Sequence, residues 1–360
     1  MSTSPWEVES IAHRAASAFQ QGHVVSTVGY LMLGLLLTAS LMTVVGIVLI
    51  YAERKVAAHF QCRLGPMRVG WHGVLQPLAD AVKLMLKEDL VPAKADKILH
   101  LLAPYLSLVA TVLTLSIIPL SPSFQVVDLN IGIVYVLAVT GVGVLGVLVG
   151  GWSSNNKWSM LGAMRAGAQI ISYEVSATLS LLVIVMLAGS LKLSDIVMSQ
   201  ADGWWIWKGH GVSLVAFLLF LISSTAELNR TPFDLPEGES ELTAGFHTEY
   251  SGMRFAFFFL SEFVNMFVAS AMMATLFFGG WMPFHIGQWE FFNAVMDWIP
   301  PFVWFMGKTS FFIFVYMWFR WTFPRLRVDQ LMLLEWKVLL PIALANLLLA
   351  SGVVVSGFHF

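Results

Sequence analysis

Hydrophobic positions in this chain fall into long continuous runs, with polar and charged residues gathered between them. Eight runs approach the ~20 residues that cross ~30 Å of hydrocarbon: 29–51, 98–120, 131–150, 167–189, 211–226, 253–280, 302–320 and 338–357. The fifth is short, and the sixth is long enough to tilt. The runs are continuous rather than alternating, which argues against a membrane β-barrel. The pattern predicts an all-α polytopic membrane protein with eight transmembrane helices in one membrane domain, 29–357.

The segments between the runs carry their own signals. Residues 1–28 are a polar extension without a basic opening. Glu7 and Glu9 speak against an organelle leader, so the segment reads as a surface-lying helix rather than a cleaved signal. Within 52–97, Val74, Leu75, Leu78, Val82, Met85 and Leu86 recur at near-helical spacing, with Asp80, Lys83 and Lys87 elsewhere on the wheel. This predicts an amphipathic helix over 71–86, placed on the bilayer surface or, alternatively, lining a cavity. Lys and Arg set the orientation. Sixteen of the 20 lie at odd-numbered junctions, above all in 52–97, against three, Arg14, Lys192 and Lys208, on the other side. The loops 52–97 and 227–252 should therefore face the cytoplasm, with both termini on the opposite side.

Composition narrows the chemistry. The chain is 58% hydrophobic and only 12% charged, with a net charge of −2, so no nucleic-acid partner is expected. Its one cysteine, Cys62, excludes an internal disulfide and an iron–sulfur cluster held by this chain alone. The histidines lie in loops or near run ends, so no haem is expected. Gly141, Gly143 and Gly146 match a dinucleotide fingerprint, but they sit inside an apolar run without the strand-to-helix turn or the acid ~20 residues later. They read as close-packing glycines.

The carboxylates are distributed unevenly. Six of the 22, namely Glu227, Asp234, Glu237, Glu239, Glu241 and Glu249, crowd into 226–254. Glu237, Glu239 and Glu241 alternate. They share a face if extended, whereas Glu239 turns away if the segment is helical. Three like charges so close should share protons. A solvated acidic loop is the alternative, although Phe233, Leu235, Leu242 and Phe246 argue for partial burial. Glu174 and Glu262 lie within apolar runs. Desolvation favours the neutral form of a carboxylic acid, which suits a proton relay. The alternative is a structural Glu paired with an arginine; two such acids beside an acidic loop favour the relay.

Four blocks carry a resemblance: YAERKVAAHFQCRLGPMRVGWHGVLQPLADAVKLMLKED (51–89), GWSSNNKWSMLGAMRAGAQIISYE (151–174), AELNRTPFDLPEGESELTAGFHTEYSGMRFAFFFLSE (226–262) and PRLRVDQLMLLEWKVLLP (324–341). With these blocks the chain resembles the family of quinone-site membrane subunits of proton-pumping NADH:quinone oxidoreductase, respiratory complex I. Met67 and Leu228 depart from the usual Asn and Thr without removing a charge. The resemblance implies a membrane subunit, not catalytic alone, that forms a quinone tunnel and chamber with peripheral-arm subunits. Flavin and iron–sulfur clusters then belong to other chains, and quinone is a substrate. The other partners are neighbouring membrane-arm subunits and lipids, and the setting is a bacterial inner membrane. By the same resemblance, Glu53 and Arg54 mark the tunnel mouth, and Asp80 and Arg230 line the path inward. Phe233 and Asp234 lie on the chamber loop. Glu237, Glu239 and Glu241 lead away from it, and Glu174, Glu227 and Glu262 belong to a buried proton path. Two rivals are a hydrogenase-linked homologue, which keeps the acids, and a stand-alone transporter, which would show duplicated broken spans.

Overall fold

The computed structural model describes residues 10–21, 23–122, 124–236, 243–285 and 289–357. Glu237, Glu239 and Glu241 lie outside them. The described residues are helical with short connections. Helices α1 (Ile11–Gln20), α2 (Val24–Phe60), α3 (Gln76–Leu86), α4 (Lys97–Ile117), α5 (Gly132–Ser153) and α6 (Lys157–Ala188) are followed by α7 (Leu193–Met198), α8 (Trp205–Lys208) and α9 (Val212–Glu227). Then come α10 (Gly252–Phe277), α11 (Glu290–Asp297), α12 (Pro301–Thr322), α13 (Val328–Leu334) and α14 (Leu340–Val355), the last two joined by a π-turn, Glu335–Leu339.

Among the described residues seven helices are long and apolar enough to cross a membrane, counting Val328–Val355 as one. The eighth apolar helix, α9, has 16 residues, or about 24 Å at 1.5 Å per residue, less than a full crossing.

Helices outlast their apolar runs, because backbone hydrogen bonding does not stop where hydropathy does. The first expected run ended at 51, but α2 continues to Phe60 through AERKVAAHF, a segment rich in good helix formers. Glu53 and Arg54 therefore sit on the last turns of a 37-residue helix, and the loop begins after them. Likewise α6 starts at Lys157, capped by the Asn156 side chain on Trp158 N. The last helix starts at Val328, ten residues before its expected run.

The expected helix over 71–86 is shorter. Trp71–Gly73 form a 3-10 turn, and α3 begins only at Gln76. Gly73 has φ 80°, and a Cβ there would stand 2.2 Å from Pro66 O. The turn is therefore closed to any other residue. Leu78, Val82, Met85 and Leu86 of α3 are exposed.

The core forms around α10, where Val264, Met266, Ala271, Met273, Ala274 and Leu276 are fully buried. Of the three fingerprint glycines of α5, Gly146 is a close-packing residue, since a Cβ there would lie 2.3 Å from Ser107 Oγ of α4, whereas at Gly141 and Gly143 a Cβ would find no atom nearer than 3.7 and 3.6 Å. The end of α10 is closed by Lys308 of α12, whose Nζ donates to Phe278 O (2.6 Å), Gly280 O (3.0 Å) and Met282 O (2.6 Å).

Candidate functional site

The site starts with a turn. Helix α9 ends at Glu227, and Asn229 takes a left-handed conformation (φ 50°), one that asparagine tolerates better than most residues. Arg230 N then bonds back to Thr225 O at 3.2 Å, and the side chain enters the bundle. Its guanidinium is 2% exposed. Nη1 lies 2.8 Å from Glu53 Oε1 of α2, and Nη2 lies 2.9 Å from Glu262 Oε1 of α10. The Phe263 ring lies beneath it, 5.1 Å from the guanidinium carbon. Arg320 of α12 also binds Glu53 Oε1. Two arginines thus face two carboxylates, and each charge has a counter-charge, as burial demands.

Two satellites flank this network. Arg54 of α2 pairs with Asp80 of α3 at 2.5 Å, and Lys83 and Gln76 stand beside the same carboxylate. This pair is solvent-facing, with Arg54 42% exposed. On the other flank the segment 231–235 is clamped. Gln169 of α6 donates to Ala226 O (2.7 Å) and Phe233 O (2.8 Å). Arg325 pairs with Asp234 at 2.9 Å, and Leu326 N donates to Pro232 O at 3.0 Å. Phe233 is buried against Tyr173, ring centroids 5.3 Å apart.

Behind Glu262 lies a cavity of about 130 Å³ between α4, α5, α6, α9 and α10, lined by Glu174, Glu227, Glu262, Asn265, Thr111 and Thr140 among others. That is room for several waters, and the wall supplies the polar partners they need. Thr111 Oγ1 donates to Asn265 Oδ1 at 3.1 Å. Met266, one turn further along α10 than Glu262, is fully buried in the core. His247, on a 3-10 turn at the cavity wall, is pushed down by burial to a pKa of about 4, so it is neutral at pH 7.

The structure thus gathers Glu174, Glu227 and Glu262 around one cavity and ties Glu262 to Glu53 through Arg230. Arg54 with Asp80, and Phe233 with Asp234, stand on separate flanks. Sequence reading missed Arg320, Arg325, Gln169, Tyr173 and Glu335. The two arginines were legible only as topology-setting charges, whereas a Glu directly after Leu331, Met332, Leu333 and Leu334 was a signal available to find the last. Among the described residues no cluster of three His, Cys, Asp or Glu is placed to hold a metal.

A helical bundle with an arginine-bridged carboxylate pair beside an acid-lined internal cavity defines a class: polytopic helical membrane proteins with a charged network buried in the bundle. Comparison with known proteins makes this particular. The family model for NADH dehydrogenase matches residues 32–351. The chain is 54% identical over 317 residues to the H subunit of NADH-quinone oxidoreductase from Phocaeicola vulgatus, covering 88% of each chain. It is 54% identical over 321 residues to the corresponding protein of Bacteroides fragilis, covering 89% of this chain and 90% of the relative. With that of Geobacillus kaustophilus it shares 50% over 305 residues, covering 84% and 88%. The chain belongs to this family, the H subunits of NADH-quinone oxidoreductase.

Proposed function

We propose that this chain is the quinone-site membrane subunit of a proton-translocating NADH:quinone oxidoreductase, forming the quinone tunnel and chamber with peripheral-arm subunits and passing the effect of quinone reduction to its buried acids. The observation that carries the reading is Arg230, bonded at once to Glu53 and to Glu262, the first acid of the cavity. In this reading electrons reach quinone through flavin and iron–sulfur clusters on other chains. Arg54 and Asp80 border the entrance, and Phe233 and Asp234 stand on the chamber loop. By the same resemblance Glu237, Glu239 and Glu241 are the acids that lead away from the chamber.

The coupling is electrostatic. A negative charge arriving near the loop competes for Arg230. At ~10 Å and an effective dielectric of ~20 a unit charge is worth about 1.7 kcal/mol, roughly a tenfold or greater change in a proton-binding equilibrium. Glu262 then takes up a proton as its counter-ion is drawn away, and it exchanges protons with Glu227 and Glu174, which line the same cavity. In the membrane, α9 serves as the short eighth crossing. The apolar side of α3 rests on the cytoplasmic surface, where lipids and peripheral-arm subunits meet it, and both termini lie on the periplasmic side of a bacterial inner membrane.

The test is purification of the tagged chain from its own membrane with its native partners. Co-purifying flavin, iron–sulfur signals and inhibitor-sensitive NADH:quinone activity are expected. A stable solitary chain, or a nickel–iron enzyme in their place, would overturn the reading.

A further inference from the structure

Glu335 is a buried carboxylate for which the quinone and cavity networks have no use. It is 1% exposed. It opens the π-turn Glu335–Leu339, and a single π-turn inside a helix is often a functional feature. Ser176 of α6 donates its hydroxyl to Oε1. The other oxygen, Oε2, is buried with no hydrogen-bond partner. Among the described residues no lysine or arginine pairs with it. An apolar residue of the same volume would avoid the cost of burying such a group.

Its placement suggests a use. Helix α6 presents two faces to its neighbours. Ile170, Glu174 and Ala177 line the cavity. Gln169, Tyr173 and Ser176 follow one another along a different face, and each makes contact with the C-terminal segment or with the loop it clamps. Gln169 holds Phe233 O. Tyr173 packs on Phe233 and donates to Leu331 O at 3.0 Å. Ser176 holds Glu335. The segment that carries Glu335 is also tied to the loop through Arg325–Asp234 and Leu326–Pro232. The loop 231–235 and Glu335 are therefore joined by both routes.

We propose that Glu335 is a further proton-exchanging carboxyl of this subunit, binding and releasing one proton at Oε2 and answering to the loop 231–235 through Ser176, Tyr173 and the Arg325–Leu326 clamp. This rests on the proton-handling reading above and adds to it a branch separate from the cavity. The groups facing Glu335 are few. Helix α6 presents Tyr173 and Ser176, with Glu174 turned to the cavity. Helix α9 brings apolar Leu219 and Ile222 to the same cluster. On its own segment Asp329 and Lys337 are exposed, and the Asp234–Arg325 pair lies at the far end of α13.

The test uses the intact complex with Glu335→Gln, which keeps an acceptor for Ser176 but cannot titrate. Redox-triggered infrared difference spectra and the pH profile of NADH:quinone activity are recorded. A carboxyl band present in the parent should vanish in the variant, and the pH profile should lose one titration, with a several-fold fall in coupled turnover at one end of the range. An unchanged spectrum and profile would overturn the proposal. If Glu335→Gln does not assemble, Ser176→Ala decides: loss of the bond to Oε1 should move the same band, and a band that stays in place overturns the proposal. Glu262→Gln runs in parallel. If Glu262→Gln abolishes pumping while Glu335→Gln is silent, only this inference fails; full pumping in Glu262→Gln would sink the underlying reading instead.

Discussion

Arg230 and Lys308 are both drawn into the bundle beside α10, yet they are held on opposite terms. Arg230 is held by two carboxylates, Glu53 and Glu262, each able to bind a proton. Lys308 is held by three backbone carbonyls at the C-terminal end of α10, with the Trp204 ring 4.5 Å from its Nζ. Carbonyls do not titrate, and they are fixed by the helix they close. The partners of Arg230 can change charge when a charge arrives nearby, whereas the carbonyls that bind Lys308 cannot. In the proposed reading the first buried cation works as a switch and the second as a staple.

The largest expected effect comes from taking the switch apart. Arg230→Met leaves Glu53 and Glu262 with one arginine fewer between them, and breaking a buried pair costs about 3–5 kcal/mol. Loss of assembled complex on native gels and loss of coupled activity should follow. Arg230→Lys should restore assembly only in part, since an ammonium lacks the fork that spans two carboxylates. Next comes His247 at the cavity wall. Its pKa falls from 6.5 to about 4 on burial, so the unfolded chain binds a proton that the folded chain refuses. The stability this group contributes is full above pH 6.5 and is lost as pH falls toward 4, by up to about 3 kcal/mol. His247→Gln should therefore flatten the acid side of a thermal-stability profile.

Lys308→Met sharpens the contrast from the other side. It frees three carbonyls but also removes a half-buried charge, for a net loss of about 1–3 kcal/mol. Melting temperature should drop while protons pumped per electron stay unchanged; a changed ratio would mean that the lysine is more than a staple. The smallest effect on stability belongs to Arg54→Ala. Its pair with Asp80 is solvent-facing and is worth at most about 1 kcal/mol. Melting should hardly move, while the KM for quinone should rise and become less sensitive to salt.

Much of this was legible in the chain. Glu174, Glu227 and Glu262 stand out because charges in or beside apolar runs are rare, and the blocks around them identified the family. Their meeting around one cavity was not legible. It depends on which faces of α6, α9 and α10 are turned inward, and hydropathy carries no pairwise information. The alternative expected for Glu262, a Glu paired with an arginine, is also realised, by Arg230, which sits 32 positions upstream. Helix ends were misplaced for a related reason. An apolar run marks the part of a helix that must avoid water, not the part that hydrogen-bonds, so Glu53 read as a loop residue although it lies on α2. Glu335 escaped notice because it stands with Lys337 just before the run expected at 338–357 and so reads as part of the preceding loop.

If charge near the loop 231–235 reaches the cavity acids through Arg230 and Glu262, the consequence is measurable in vesicles carrying Glu262→Gln, with NADH-driven quinone reduction and proton uptake followed together. Assembled complex with depressed coupled turnover and fewer protons moved per electron pair is the expected result. Full proton pumping at the parental ratio would contradict it.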